Sequence, residues 1–273
     1  MSHLPKAKCQ RSAERALRAV PDWFSHEFEP ALDDFLTTAS PEGPHKTRVA
    51  LRQLRSVLTG FSAIIKPKTL DRLQRRIRHY FRLIGQVRDA DVLLRHVTDK
   101  AAIKSARKQA AELRMSVRAK LKARDVSEFS SDLARLLRGK SWRRGSKTAK
   151  RLRHAPCGTL ATAALQTAFL KCRNYPRDLS VLTRHDLHSF RKDLKTLRYM
   201  AEYFAFLWPD AAQNHYFDKL RCLQDELGDL IDAELIRQRG LPGIAPEVRT
   251  MDAACDHWQA LLDLEPMWAA ATP

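Results

Sequence analysis

The sequence predicts an all-α protein built from two related helical bundles. Apolar residues recur at helical spacing along most segments of the chain, and no segment shows the alternation that is typical of a strand. A basic helical motif also occurs twice, once in each half of the chain. With 273 residues, of which 44% are apolar and 29% charged, the chain has globular composition and is long enough to bury a substantial core.

The repeated motif is a basic stripe that begins at a histidine. His45 is followed by cations at positions +3, +7 and +10, and His188, in the second half of the chain, is followed by cations at the same positions. At about 100° per residue, the four positions fall within about 80° of a helix circumference. The two stripes are His45, Arg48, Arg52 and Arg55, and His188, Arg191, Lys195 and Arg198.

Start and stop signals place these stripes on two helices. Ser40, Pro41 and Glu42 form a typical helix start, so the first stripe helix is predicted over about 41–65. The repeat places the second stripe helix over about 184–208. Each helix has an apolar seam at matching positions, Leu51, Leu54 and Leu58 in the first and Leu194, Leu197 and Ala201 in the second.

The other helices follow from apolar periodicity and from helix-breaking residues. They are predicted over Arg11–Leu36 with interruptions at Pro21 and Pro30, from about Thr69 to a closing segment over Gly85–Val92, and over Ala101–Lys122, Ser127–Arg138, Thr159–Cys172, Gln213–Arg239 and Glu247–Leu264. Residues 139–154 are basic, contain glycine and serine and are poor in apolar residues, which favours a solvated linker over the alternative, an accessory contact for an anion. Residues 1–138 and 155–273 are then the two bundle halves.

A second pair of motifs supports a duplication. Aligning Arg88-Asp89 with Gly228-Asp229 gives a spacing slightly shorter than that of the two stripes. Two motifs that repeat in the same order, with a small insertion or deletion between them, favour a duplicated helical unit.

The charge of the chain selects polyanionic partners. Lys and Arg number 49 against 31 Asp and Glu, which gives a net charge of +18 and an isoelectric point near 10.1. Between His45 and Arg88 the only acid is Asp71. Carboxylates of neighbouring helices are one way to neutralise the stripes, with Asp89, Asp91, Asp229 and Asp232 as candidates, and a bound polyanion is the other. The local excess of cations favours the polyanion.

Other classes of protein find less support in the sequence. The five cysteines are scattered without C-x-x-C spacing, which argues against a zinc site or a disulfide framework. The start of the chain lacks the apolar core of a signal peptide, and no run approaches the about 18 apolar residues of a membrane span. We therefore expect a soluble cytoplasmic protein without a metal, a cofactor or a membrane partner.

The motifs resemble those of the CHAD family, the conserved histidine α-helical domain. The resemblance rests on H-x-x-R-x-x-x-R-x-x-R followed by R-D-x-D-V, and on H-x-x-R-x-x-x-K-x-x-R-Y followed by L-Q-D-x-L-G-D-x-x-D. It implies two pseudo-symmetric antiparallel helical bundles with a basic groove or pore that binds inorganic polyphosphate. Family members often follow a triphosphate-tunnel domain, for which this chain has no room, so it looks like a standalone member. Association with polyphosphate granules is a further expectation from the resemblance, and the lack of a P-loop or a glycine-rich phosphate cradle argues against an enzyme. Ile231 departs from the family pattern, which often has Asn there.

The resemblance also implies a set of ligands. Carried over by motif, the polyphosphate-binding residues are His45, Arg48, Arg52, Arg55, His188, Arg191, Lys195 and Arg198. Secondary candidates are Lys46, Arg75, Arg78, His79, Arg82, Lys192 and Lys219. Other polyanions, such as nucleoside or inositol polyphosphates, would suit the same groups.

Two further functions stay open at the level of the sequence. A nucleic-acid binder would use the same charge, although the stripes lack the aromatic platforms typical of single-strand binders. A metal-dependent phosphohydrolase would use the dipeptide His185-Asp186, but ligand partners at suitable spacing are not evident, and Asp186 also suits the first turn of the stripe helix.

Overall fold

A computed structural model describes residues 12–94, 100–238 and 251–269. Over these residues the protein contains ten α-helices and no β-strand, which confirms the all-α prediction. The helices are α1 Ala13–Thr37, α2 Glu42–Gly60, α3 Pro67–Leu94, α4 Lys100–Lys122, α5 Phe129–Arg138, α6 Lys147–His154, α7 Cys157–Arg173, α8 Arg184–Phe204, α9 Asp210–Gln238 and α10 Met251–Asp263.

The chain divides into two compact units. The first ends at Cys157 and contains α1 to α6, and the second begins at Gly158 and contains nearly all of α7 together with α8 to α10. In the first unit α2 packs against both α1 and α3, and α3 also packs against α4. In the second unit α9 packs against α8 and α10. Their predicted pseudo-symmetry stays a prediction.

Helix α1 is continuous, so the predicted interruption at its two prolines is wrong. Pro21 and Pro30 both lie inside the helix. A proline costs an interior helix about 3 kcal/mol or more because it removes a hydrogen bond and crowds the preceding turn. Phe24, Phe28 and Phe35 are buried on the same helix, and each buried side chain contributes about 1.5–3 kcal/mol. Tertiary packing therefore outweighs the local cost.

An aromatic cluster forms the centre of the first unit. The ring of Phe129 meets the rings of Phe24, Phe28 and Tyr80 edge to face, with centroids 5.4–6.1 Å apart. Tyr80 is buried, and its hydroxyl donates a hydrogen bond to the carbonyl of Arg124 at 2.9 Å. These contacts tie α1, α3 and α5 together behind the helix that bears the first stripe.

Helix α2 ends earlier than predicted, whereas α3 ends close to its predicted closing segment. The backbone N–H of Glu42 donates to the hydroxyl of Ser40 at 3.1 Å, in agreement with the predicted start of α2. Helix α2 ends at Gly60 instead of residue 65, because the chain leaves the helix and Ile65 pairs with Arg143 in an isolated β-bridge. Helix α3 ends at Leu94, two residues after Val92, the last residue of its predicted closing segment.

Residues 139–154 are a packed part of the first unit, so the prediction of a solvated linker is wrong. Trp142 is completely buried, and its indole N–H is shared between the carbonyls of Leu137 and Gly139, both at 3.1 Å. The backbone N–H of Lys66 donates to the carbonyl of Trp142 at 2.7 Å. The second part of the segment is α6, and the boundary between the units follows at Cys157.

A single carboxylate anchors this segment to α1. Glu14, which is 8% exposed, accepts a hydrogen bond from Arg143, and its other oxygen lies 3.5 Å from Nε of Arg153. Arg18 approaches the same carboxylate at 3.2 Å. Two of the cations that suggested a solvated linker, Arg143 and Arg153, are therefore part of an ion-pair network around a buried carboxylate, where removing one partner is costly.

The second unit is built around two aromatic groups. Phe190 of α8 packs against Trp258 of α10 with centroids 4.9 Å apart, and the indole N–H of Trp258 donates to the carbonyl of Pro176 at 3.0 Å. Trp268 meets Tyr216 and Phe169 edge to face. Of the helix predicted over Glu247–Leu264, residues 247–250 lie outside the described part of the chain.

The burial of Trp142 gives a test of the packed segment. Trp142→Ala should lower the free energy of unfolding by about 3–5 kcal/mol, because it leaves a cavity in a filled core. Chemical denaturation measures the change, and Ser141→Ala on the neighbouring exposed residue is the matched control. A loss below about 1 kcal/mol would be the behaviour of a linker.

Candidate anion-binding site

The first stripe lies on the side of α2 that packs against α3. The guanidinium carbon of Arg48 is 4.3 Å from the ring centroid of Phe81, and that of Arg52 is 5.0 Å from the same centroid. Two arginines one helical turn apart thus share one aromatic ring by cation–π contact. Phe81, which the sequence analysis did not single out, holds both side chains in place.

Little negative charge opposes these cations. Arg48 lies 3.7 Å from Asp89, whose side chain is 71% exposed, so this pair contributes about 0–1 kcal/mol. In the described part of the chain, no carboxylate lies within ion-pair distance of Arg52 or Arg55. Burial, together with the charges of Arg52 and Arg88, lowers the pKa of Arg48 against the opposing effect of Asp89.

Arg55 extends the same cluster toward α3. Burial lowers the pKa of Arg55, and the nearby charges of Arg78 and Arg52 lower it further. Arg78 was a secondary candidate, and the structure brings it to the first stripe. Arg48, Arg52, Arg55 and Arg78 therefore form a continuous group of mutually repelling cations, which we call the α2 stripe cluster.

A glycine makes room for the leading arginine in each unit. A Cβ atom on Gly85 would lie 2.5 Å from Nη1 of Arg48, and a Cβ atom on Gly228 would lie 3.0 Å from Nη2 of Arg191. The two glycines have the same spacing in the sequence as the two stripes. The alignment predicted for the second pair of motifs is therefore wrong: Gly85 corresponds to Gly228 without an insertion. The sequence shows this correspondence in a shared G-x-x-x-D spacing, Gly85 to Asp89 in the first unit and Gly228 to Asp232 in the second.

The second stripe differs from the first at its far end. Arg198 forms an ion pair with Glu202 at 3.0 Å and lies 5.1 Å from the ring centroid of Tyr199. In α2 the residue that corresponds to Glu202 is Thr59. Arg198 therefore has a carboxylate partner within its own helix, whereas Arg55 faces the cation of Arg78 instead.

Glu202 is held in an unusual environment. Burial raises its pKa, against the opposing charges of Arg198 and Arg221. Arg221 corresponds to Arg78 of the first unit and was missed by the sequence analysis, which selected Lys219 on the same helix. Lys219 is half-buried. The shared position of Arg78 and Arg221 in the repeat was the signal for this residue.

The two motif histidines begin their stripes at exposed positions. His188 is exposed on α8, as is Lys192. His45 and Lys46 line a cleft between α2 and α1 together with His26 and three carboxylates, Glu27, Asp34 and Glu42. His45 and Lys46 thus have a more acidic neighbourhood than Arg48 and Arg52 do.

The remaining candidates on α3 separate into two groups. Arg75 and Arg82 are exposed. The ring centroid of His79 lies 6.0 Å from that of Tyr80, and burial, with the charges of Arg124 and Arg82, lowers the pKa of the imidazole. His79 therefore favours its neutral form. Its environment suits a packed residue better than an anion ligand.

Asp186, which was considered for metal chemistry, takes part in capping a helix in the structure. Asp186 stands in the first turn of α8, as predicted. Its backbone N–H donates to the hydroxyl of Thr183 at 3.2 Å, and that hydroxyl donates to its carboxylate at 2.6 Å. Over residues 12–94, 100–238 and 251–269, no cluster of three or more His, Cys, Asp or Glu side chains is arranged to hold a metal ion. None of the described helices combines the length and apolarity of a membrane span.

The fold and the basic helices define an all-α protein with a concentrated cationic surface. The sequence profile of the CHAD domain matches residues 14–240, so the chain belongs to the CHAD domain family. The crystal structure of the CHAD domain from the plant Ricinus communis has a similar fold, with a TM-score of 0.68 at 20% identity, over 96% of this chain and 88% of that chain. No curated protein matches the chain significantly.

The raised pKa of Glu202 predicts a pH-dependent difference in stability. Below the unfolded-state pKa of about 4.3 the side chain is protonated in both states, and ionisation costs the folded state more as the pH rises through the raised folded-state pKa. Relative to the wild type, Glu202→Gln should therefore gain stability across that window and level off above it. Urea unfolding between about pH 3.5 and 7 measures this, with Glu29→Gln on the exposed face of α1 as the control. A difference that does not change with pH would contradict it.

Proposed function

We propose that the protein binds inorganic polyphosphate without chemical turnover, through the basic stripes of α2 and α8. The observation that supports this most directly is the α2 stripe cluster. Its cations lie close together on packed helices, and Asp89, the carboxylate that pairs with Arg48, is mostly exposed. A bound polyanion would remove the mutual repulsion that the chain itself leaves in place.

The chemistry of the side chains suits phosphate. An arginine presents a planar fork of N–H groups that can engage two phosphate oxygens at once, whereas a lysine such as Lys195 acts as a point charge. At a rise of about 1.5 Å per residue, Arg48 and Arg55 are about 10 Å apart along the helix axis. Cations distributed over that length fit an extended chain of phosphates better than a single one.

Phe81 favours polyphosphate over single-stranded nucleic acid. Single-strand binders stack bases on accessible aromatic rings. The ring of Phe81 is already covered by the guanidinium groups of Arg48 and Arg52. Stacking leaves the N–H edges of a guanidinium able to donate hydrogen bonds, so the arrangement offers charge without a platform for bases. Granule association is part of the same proposal.

Paired substitutions in each stripe test the proposal. Arg52→Ala with Arg55→Ala, and separately Arg191→Ala with Lys195→Ala, should each weaken polyphosphate binding by about tenfold or more, since a charge-assisted hydrogen bond contributes about 1.5–3 kcal/mol. The dependence of affinity on salt should also become flatter. Isothermal titration at several salt concentrations measures both effects, and circular dichroism verifies that the variants remain helical.

The matched control removes two exposed cations from another helix of the first unit, Lys104→Ala with Arg107→Ala on α4. It changes the net charge equally and should cost less than threefold in affinity. Equal weakening in all three double variants would mean that only net charge matters. Tighter binding of RNA than of polyphosphate at matched salt would favour the nucleic-acid function, and phosphate release with Mg²⁺ or Mn²⁺ would favour the phosphohydrolase.

The glycine beside Arg48 gives a more specific test. In Gly85→Ala the new methyl group would displace the flexible end of Arg48, while alanine is a better helix former by about 0.5–1 kcal/mol. We expect unchanged or higher thermal stability together with a several-fold loss of polyphosphate affinity. In an Arg48→Ala background the loss should vanish. If it persists there, Gly85 acts on binding by another route.

A further inference from the structure

Helix α6 has a basic outer face that lies apart from both stripes. Lys147, Lys150, Arg151 and His154 are exposed and fall within about 100° of the helix circumference. Ala149 and Arg153, on the opposite face, are buried. One basic side chain of this short helix, that of Arg153, therefore lies inside the unit, and the other four lie on its surface.

The outer face stands on an ordered support. The hydroxyl of Ser146 accepts a hydrogen bond from the backbone N–H of Ala149 and caps the helix. Beneath it, Trp142 fills the core and Glu14 pairs with the two inner arginines, Arg143 and Arg153. Helices this short are marginal in isolation, so the geometry of α6 depends on these anchors.

Exposed cations from two parts of the chain lie close together where the loop before α6 contacts the connection between α2 and α3. The backbone N–H of Arg144 donates to the carbonyl of Ile64 at 3.0 Å, which brings the loop before α6 beside the connection between α2 and α3. We call the combined surface the end platform. Its exposed cations are Lys66, Lys140, Arg144, Lys147, Lys150 and Arg151.

Nearby carboxylates do not neutralise the positive charge of the end platform in the described part of the chain. No Asp or Glu occurs between Leu133 and Arg177, and Glu14, the carboxylate beneath the platform, is occupied by buried arginines. Among the residues that the structure describes, none of the six platform cations forms an ion pair. Like charges three and four residues apart on α6 destabilise the helix by about 0.2–0.5 kcal/mol per pair. An external anion would relieve that repulsion.

We propose that the end platform is a second contact surface for the polyphosphate chain that the α2 stripe cluster binds. This rests on the proposed function and adds a dependence on chain length to it. Arg55 is the last cation of the stripe, and α2 ends at Gly60, close in sequence to Ile64 and Lys66 at the platform. A phosphate chain that follows the stripe toward the end of α2 thus approaches the platform.

With both surfaces in contact, the affinity for polyphosphate should increase with the length of the phosphate chain. Tripolyphosphate is so short that neighbouring arginines of the stripe can bind the whole molecule. A longer chain that is held there reaches the platform as an intramolecular event, at a high effective concentration, and gains affinity without any change in the stripe.

The test compares two ligands and three proteins. Lys147→Ala, Lys150→Ala and Arg151→Ala are combined in a platform variant, which preserves the Ser146 cap and replaces exposed residues with the best helix former. The control variant combines Lys104→Ala, Lys120→Ala and Lys122→Ala on exposed positions of α4 and loses the same charge. Tripolyphosphate and a polyphosphate of about 100 units are the probes, measured by isothermal titration.

We expect the platform variant to bind the long chain about tenfold more weakly than the control variant does, and to bind tripolyphosphate within about twofold of it. Equal long-chain affinity in the two variants would overturn the platform while leaving the proposed function in place. So would an equal loss for both probes. If the wild type binds neither phosphate, the proposed function fails as well.

Discussion

The close approach of α3 to α2 at Gly85 is the constraint on which the candidate site depends. A Cβ atom there would lie 2.5 Å from Nη1 of Arg48, so the glycine leaves room for the guanidinium group beside α3. With Arg48 in that position, Phe81 contacts it and Arg52 together. The same approach recurs at Gly228 and Arg191 in the second unit. In each unit a glycine thus leaves room for the leading arginine of the stripe.

The two units use this arrangement to different ends. In the first, cations face cations, and the aspartate that pairs with Arg48 is exposed. In the second, Glu202 neutralises Arg198. Buried carboxylates elsewhere in the first unit, Glu14 and Asp91, pair with arginines that support the fold, and the Asp91 carboxylate accepts two hydrogen bonds from Arg114 at 2.8 and 3.0 Å. The chain thus uses part of its positive charge for structure and leaves a specific part unopposed.

Much of the helical framework could be predicted from periodicity, because each buried seam repeats along its helix. The continuity of α1 through Pro21 and Pro30 could not, since it depends on burial by distant helices. The same is true of residues 139–154. Their local composition resembles a linker, but Trp142 and Glu14, far apart in sequence, make the segment part of the core. The stripes were visible as a pattern. Phe81 was not, because a ring on another helix has no fixed spacing from the cations it contacts.

The sharing of one ring by two arginines has a consequence for substitution by residues of equal charge. Lysine would preserve the charge at either position, but its ammonium group is a compact, strongly hydrated point with three rotatable donors and no flat face to lay on the ring. Its long stem would regain rotational freedom that the guanidinium has already given up, so the freedom would have to be lost again whenever an anion arrived. At Arg48 and Arg52, rigidity therefore depends on the planar shape of the cation rather than on its sign.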